Sequence, residues 1–252
     1  MLRLITIPIS HYCEKARWGL QRAGLSYHEE PHVQGLHRLY ARRAGGGVTV
    51  PVLVTPDGAI GESEQILEWV DERTEPSQRL FGTDAERERA LALCRRLDAR
   101  LGPHGRRLIY VRMFEQRELM LRYNDQGVPR WEDRALRIGL PVAKRFIGRL
   151  LEIRPGVERE DEAAVFAELD WVAEQLADGR PYLLGERFSA ADLTFAALAA
   201  PIVLPPVYGV PLPPAELLDA PSKDLLERGR AHPAGAFALR LYDERAGAPA
   251  PA

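Results

Sequence analysis

The chain has 252 residues, a formal charge of −2, 46% hydrophobic residues and 28% charged residues, the balance of an ordinary globular protein with room for one large or two smaller cores. The near-neutral charge excludes a broad electrostatic attraction to nucleic acid, and no apolar run approaches the length of a membrane span. Two cysteines, Cys13 and Cys94, are too few for a disulfide framework and fit a reducing compartment, and Met1-Leu2-Arg3 leads so directly into a strand pattern that no signal peptide is expected.

Residues 2–7 read as a buried strand. Residues 13–23 read as a helix stopped by Gly24. Residues 26–31 form a second short strand pattern, and 36–44 a helix ended by Gly45-Gly46-Gly47. Residues 50–55 are a β-branched strand bounded by Pro51 and Pro56. In Pro56-Asp57-Gly58 the proline presets φ and the glycine accepts a positive φ, so a turn is expected, with a fourth strand at Ala59-Ile60. A helix follows over 63–73, with Ile66, Leu67 and Val70 on one face. The order β-α-β-α-β-β-α predicts a small α/β sandwich.

Beyond Glu75-Pro76 strand signals cease. Helical patterns cover 85–101, interrupted at Gly102-Pro103, then 106–123, 131–153 with a kink at Pro141, 158–177, 189–200, part of 217–230, and 233–244. Ser189-x-x-Asp192 reads as a capping box, with Phe188 stapling to Leu193. The expected division is an α/β domain over 1–76, a linker over 77–84, an all-α bundle over 85–245, and a disordered tail over 246–252.

Ser10-His11-Tyr12-Cys13 stands between the first strand and the first helix. Free N–H groups and the positive end of a helix dipole lie there, which favours a thiolate. The segment reads as C-x-x-C with Ser in the first place, pointing to thiol chemistry on a thioredoxin-like scaffold. At Val50-Pro51, proline cannot donate a ladder hydrogen bond, which leaves the Val50 backbone able to pair with an extended ligand. Glu62-Ser63, at a helix start, offers a carboxylate to an ammonium, and a hydroxyl with free N–H groups to a carboxylate. Each motif also has an architectural reading: Ser63 as a plain N-cap, Val50-Pro51 as an edge-strand entry, Cys13 as a small inert core residue.

Taken together, Ser10-His11-Tyr12-Cys13-Glu14-Lys15-Ala16-Arg17, Thr49-Val50-Pro51-Val52-Leu53, Glu62-Ser63-x-x-Ile66 and Gly185-Glu186-Arg187-Phe188-Ser189-Ala190-Ala191-Asp192-Leu193 resemble the motifs of a cytosolic glutathione S-transferase of bacterial type with a Ser or Cys active site. The resemblance implies a thioredoxin-like N-terminal domain and an all-helical C-terminal domain. It implies glutathione as co-substrate and transfer of its thiol to a small electrophile. A homodimer in the cytoplasm is implied as well, with no nucleic-acid, membrane or metal partner. A glutathione-dependent isomerase or reductase, and a non-catalytic glutathione-binding or scaffold protein that keeps the same fold, are the alternatives.

On that resemblance Ser10 and Cys13 are the catalytic candidates. A Ser10 hydroxyl can donate a hydrogen bond to a glutathione thiolate, and Cys13 takes the resolving position. Val50, Pro51, Glu62 and Ser63 would bind the tripeptide. His11, which stands where relatives keep proline, and Tyr12 after it in the loop are candidates for binding the substrate, although a solvent-facing His11 is the simpler expectation. No lysine precedes Val50; Arg42, Arg43 or His37 would stand in for the base that holds the glycyl carboxylate. The electrophile site would lie between the domains, lined by His104, Arg106, Arg107, Tyr110 and Phe114. The basic amphipathic segment 137–154 is expected to be an ordinary bundle helix with a solvated face.

Overall fold

A computed structural model describes residues 1–247. Its first part holds β1 (Leu2–Thr6), α1 (His11–Arg22), β2 (Tyr27–Pro31), α2 (His37–Ala44), β3 (Val52–Thr55), β4 (Gly58–Ile60) and α3 (Ser63–Asp71). The four strands form one mixed sheet in the order β2-β1-β3-β4. β1 runs parallel to β2 and antiparallel to β3, with Ile5 opposite Val52; β3 and β4 make a tight hairpin with Leu53 opposite Ile60. This is the βαβαββα thioredoxin-like arrangement expected from the strand and helix patterns. Successive side chains of β1 point to opposite faces: Leu4 joins Ala16, Leu20, Ile66 and Val70 under α1 and α3, and Ile5 joins Ala41 and Val52 under α2.

The remainder is helical: α4 (Asp84–Glu115), α5 (Arg117–Asn124), α6 (Arg130–Leu150), α7 (Val157–Gln175), α8 (Ala190–Val203), α9 (Ala220–Ala231) and α10 (Pro233–Gly247). α8 is apolar all round and sits at the centre, contacting α1, α4, α9 and α10, as a helix without a polar face must. Its capping box is present: Asp192 accepts from the Ser189 N–H at 2.8 Å and from the Ser189 hydroxyl at 2.6 Å. Asp192 also accepts from the Leu183 N–H at 2.8 Å. α10 continues through Ala246 and Gly247; the rest of the expected tail lies outside the described residues.

One expected break is displaced. α4 continues through Gly102 and Pro103 and ends only at Gln116, whose φ of −107° and ψ of 69° are not helical. An interior proline costs a helix about 3 kcal/mol. Here Leu97, Leu101 and Leu108, all fully buried, fasten α4 to the helical core on both sides of the proline and outweigh that cost. Gly102 is no breaker either: a Cβ there would lie 2.1 Å from the Tyr12 hydroxyl, so the glycine makes room for the loop before α1.

The two parts are joined by buried polar contacts from α1. Lys15 Nζ lies 2.7 Å from Asp98 Oδ2 on α4, and both side chains are largely buried. Glu14, fully buried, accepts from the Gly209 N–H at 3.0 Å and pairs with Arg245 of α10. Tyr208 donates its hydroxyl proton to the Ile9 carbonyl at 3.3 Å. Arg17 instead closes its own domain through a bidentate pair with Glu29, donating to Oε1 at 2.6 Å and to Oε2 at 3.2 Å. The charged residues beside the Ser10 motif, Glu14, Lys15 and Arg17, are thus buried, ion-paired anchors.

Candidate functional site

Register brings the three N-terminal motifs to one edge of the sheet. Ser10 follows the C-terminal end of β1. β3 is antiparallel to β1, so Val50 precedes β3 at that same end. β4 is antiparallel to β3, so Glu62 follows β4 there as well. From β1 to β4 is two strand spacings, about 10 Å.

Ser10 is the N-cap of α1, with extended φ and ψ of −69° and 124°. Its oxygen accepts from the Cys13 N–H across a long 3.4 Å, which leaves the hydroxyl proton free to donate. The Val50–Pro51 peptide is cis, and among the described residues neither polar group of the Val50 backbone is paired with another backbone group. Glu62, exposed, is the N-cap of α3; Ser63, a buried residue, is the first helical residue and not the cap.

A cleft of about 170 Å³ runs from this edge toward the helices. Ser10, His11, Tyr12, His37, Arg38, Val50, Arg106 and Tyr110 line it, together with Phe146 and Leu150 of α6. Glu62 and Ser63 stand outside its lining, at the open end of the sheet edge. A second, apolar cavity of about 90 Å³ lies behind a wall of Ile9, Ile109, Met113 and Pro201, which the two spaces share, and extends to Leu204, Tyr208 and Leu226.

The imidazoles and phenols of the cleft are held neutral. His11 is not the solvent-facing residue its loop position suggests. It is 4% exposed, its Nε2 has no partner, and burial, helped by the Arg106 charge, lowers its pKa to about 3. His37 is lowered to about 4 by burial, and its Nδ1 accepts from the Gly35 N–H at 3.1 Å. Burial raises Tyr110. Tyr12 is also raised by burial, and its hydroxyl donates to the Asp98 carbonyl at 3.2 Å.

Other expected site residues fall elsewhere. Cys13 is fully buried and absent from the cleft lining, and desolvation pushes its thiol up to about 11 despite the nearby Arg17 charge and the helix start. Burial therefore outweighs the dipole that favours a thiolate at this helix position. His104 and Arg107 point toward α7: both bond the fully buried Asp161, from His104 Nδ1 at 2.7 Å and from Arg107 at 2.6 and 2.7 Å. Of the α4 residues expected at the electrophile site, Arg106 and Tyr110 reach the cleft, while Phe114 packs at the α5–α6 side. Arg42 and Arg43 are exposed and outside the lining. Arg38, one helical turn before Arg42, is the α2 cation that reaches it; i, i+4 spacing from Arg42 was the available signal. The contribution of α6 had no local signal, because it depends on how a distant helix folds back.

Two family models match the chain: glutathione S-transferase, N-terminal domain, over residues 4–78, and glutathione S-transferase, C-terminal domain, over residues 155–228. No curated protein matches. Among solved structures, a glutathione S-transferase from Xanthobacter autotrophicus is 20% identical, with 99% of this chain and 95% of that one covered at a TM-score of 0.60. One from Sinorhizobium meliloti is 19% identical, with 95% and 92% covered and a TM-score of 0.59. Glutathione transferase F2 from Populus trichocarpa is 15% identical, with 97% and 100% covered and a TM-score of 0.58. At these identities the likeness is one of fold. With both domain models of one family matched in order, the chain belongs to the glutathione S-transferase family.

Proposed function

We propose that the chain binds glutathione across the sheet edge and transfers its thiolate to a small apolar electrophile. The observation that carries this reading is the convergence of Ser10, the unpaired Val50 backbone and Glu62-Ser63 at the ends of β1, β3 and β4. An extended tripeptide is about 10 Å long and matches that span. Its γ-glutamyl head, with one ammonium and one carboxylate, meets the Glu62 carboxylate and the Ser63 hydroxyl at the α3 start. Its backbone pairs with Val50. Its cysteinyl sulfur lies at Ser10, whose free hydroxyl proton stabilises the thiolate. Arg38 is the cation for the glycyl carboxylate.

In the transfer the sulfur lone pair forms the new bond to the electrophilic atom. The electron pair of the breaking bond, or of the acceptor double bond, goes to the leaving group or the adjacent carbon. The proton lost from the thiol leaves to solvent. The chain contributes positioning and thiolate stabilisation, and the part of the cleft beside Arg106, Tyr110 and α6 houses the acceptor. Thiol–disulfide exchange is disfavoured, since Ser10 cannot form a mixed disulfide and Cys13 is buried and protonated.

Calorimetric titration with glutathione, repeated on a Glu62→Ala, Ser63→Ala double variant, tests binding: heat in the wild type that is lost in the variant is expected. Ser10→Ala tests chemistry and should lower kcat/KM for a standard aromatic electrophile about a hundredfold. No heat with the wild type would leave the family fold without its ligand, and the scaffold reading would replace this one.

A further inference from the structure

α6 carries two apolar faces, and only one of them is covered. Leu136, Leu140 and Ile147 are buried against Val33, Met113, Met120 and Leu121 or beside the cleft. At this end Glu132, fully buried, is held by His32 Nδ1 at 2.8 Å and by the Val33 N–H at 3.1 Å. Beside this covered face Trp131, Ile138, Val142 and Phe146 are exposed, Ile138 at 84% and Val142 at 74%. At 3.6 residues per turn these four and Ala135 fall within an arc of about 80°. The solvated basic face expected for this helix is present at Arg134, Arg137, Arg145 and Arg149, and beside it water also meets an apolar stripe along most of the helix's length.

The stripe is bordered by cations. Arg130, Arg134 and Arg145 lie along one margin and Arg149 closes its end, and none of the four makes an ion pair among the described residues. The acidic side chains of α6 are both engaged: Glu132 is buried, and Asp133 is bonded to Arg137 at 2.7 Å. A second copy of the chain, related by a two-fold axis, would bring two such cationic margins together with no free carboxylate on α6 to meet them. An anionic bilayer surface complements both features, because it takes the stripe into its acyl boundary and the guanidinium groups to its headgroups. No helix among the described residues is long and apolar enough to cross a membrane, so the contact is one of lying on the surface.

We propose that α6 docks this protein on an anionic lipid bilayer, with Trp131, Ile138, Val142 and Phe146 inserted at the interface and Arg130, Arg134, Arg145 and Arg149 on the headgroups. The docking does not depend on the thiol chemistry proposed above. A corollary does: Phe146 and Leu150 also line the cleft, so the cleft mouth would face the bilayer and receive acceptors dissolved in lipid.

The test is co-sedimentation of the full chain with vesicles of pure phosphatidylcholine and of equimolar phosphatidylcholine and phosphatidylglycerol. Binding to the mixed vesicles at least tenfold above the neutral ones is expected. An Arg134→Gln, Arg145→Gln variant should lose about twenty-fivefold, at about fivefold for each arginine, and an Ile138→Glu, Val142→Glu variant should lose at least tenfold. All four positions are solvent-exposed, and circular dichroism verifies that each variant is folded. No binding by the wild type, or equal binding by wild type and variants, would overturn the proposal. Sedimentation velocity gives the remaining outcome: an oligomer that dissociates in the Ile138→Glu, Val142→Glu variant would mean that a second copy covers the stripe, and would overturn it as well.

Discussion

Ser10 and Cys13 share one helix start, yet their surroundings separate them. Ser10 faces the cleft with a free hydroxyl proton; three residues later the chain has turned into the core, and the Cys13 thiol is pushed up to about 11. Cys13→Ser is therefore expected to leave kcat/KM within about threefold of wild type, whereas Ser10→Ala is not. His11 gives a second prediction at this scale. In the unfolded chain it protonates near pH 6.5, but in the fold only near pH 3. Between those values the unfolded state binds the extra proton, so stability falls as pH drops from about 6.5 toward 3, by up to about 1.4 kcal/mol per pH unit. Urea denaturation of wild type and His11→Gln across this window should show a shallower slope for the variant. Equal slopes would mean that His11 is already charged in the fold.

Among the elements, α4 is where local propensity and packing oppose each other most directly. Gly102 and Pro103 read as an interruption, yet α4 crosses them because Tyr12 occupies the space above Gly102 and the buried leucines continue on both sides. Gly102→Ala places a methyl group against the Tyr12 hydroxyl, which is itself bonded to the Asp98 carbonyl. Its greater helix propensity would add about 1 kcal/mol, but overpacking costs about 1–3 kcal/mol. A net loss of about 1 kcal/mol is expected in chemical denaturation, with a disturbed cleft. A net gain would show that Tyr12 yields without cost. The α8 box was legible by contrast because Ser189 and Asp192 satisfy each other within four residues, and no distant contact is needed to specify it.

Across the whole molecule, the joint between the sheet domain and the helices runs through charges that the sequence presents as a motif beside Ser10. Glu14 is fully buried and meets Gly209 and Arg245; Lys15 meets Asp98. Removing one partner of such a set leaves an uncompensated buried charge. Glu14→Ala is expected to lower stability by about 3 kcal/mol, read from urea denaturation. If Arg245 instead relaxes to solvent at no cost, the loss would stay below about 1 kcal/mol.

The sequence by itself determined what short-range chemistry specifies. The βαβαββα order follows from β-branched runs, a Pro-Asp-Gly turn and glycine stops. The α8 cap follows from a four-residue pattern, and the three candidate ligand motifs from their places beside strand and helix ends. Only the tertiary structure decided which of those residues reach a common cleft. Strand register gathered Ser10, Val50 and Glu62 at one edge. Burial removed Cys13 and neutralised His11. Asp161 drew His104 and Arg107 away from the cleft, and the fold of α6 turned an apolar stripe outward. These outcomes depend on contacts between residues far apart in the chain, and on desolvation that no local pattern records, because the same side chain is charged or neutral, free or paired, according to what the rest of the fold places against it.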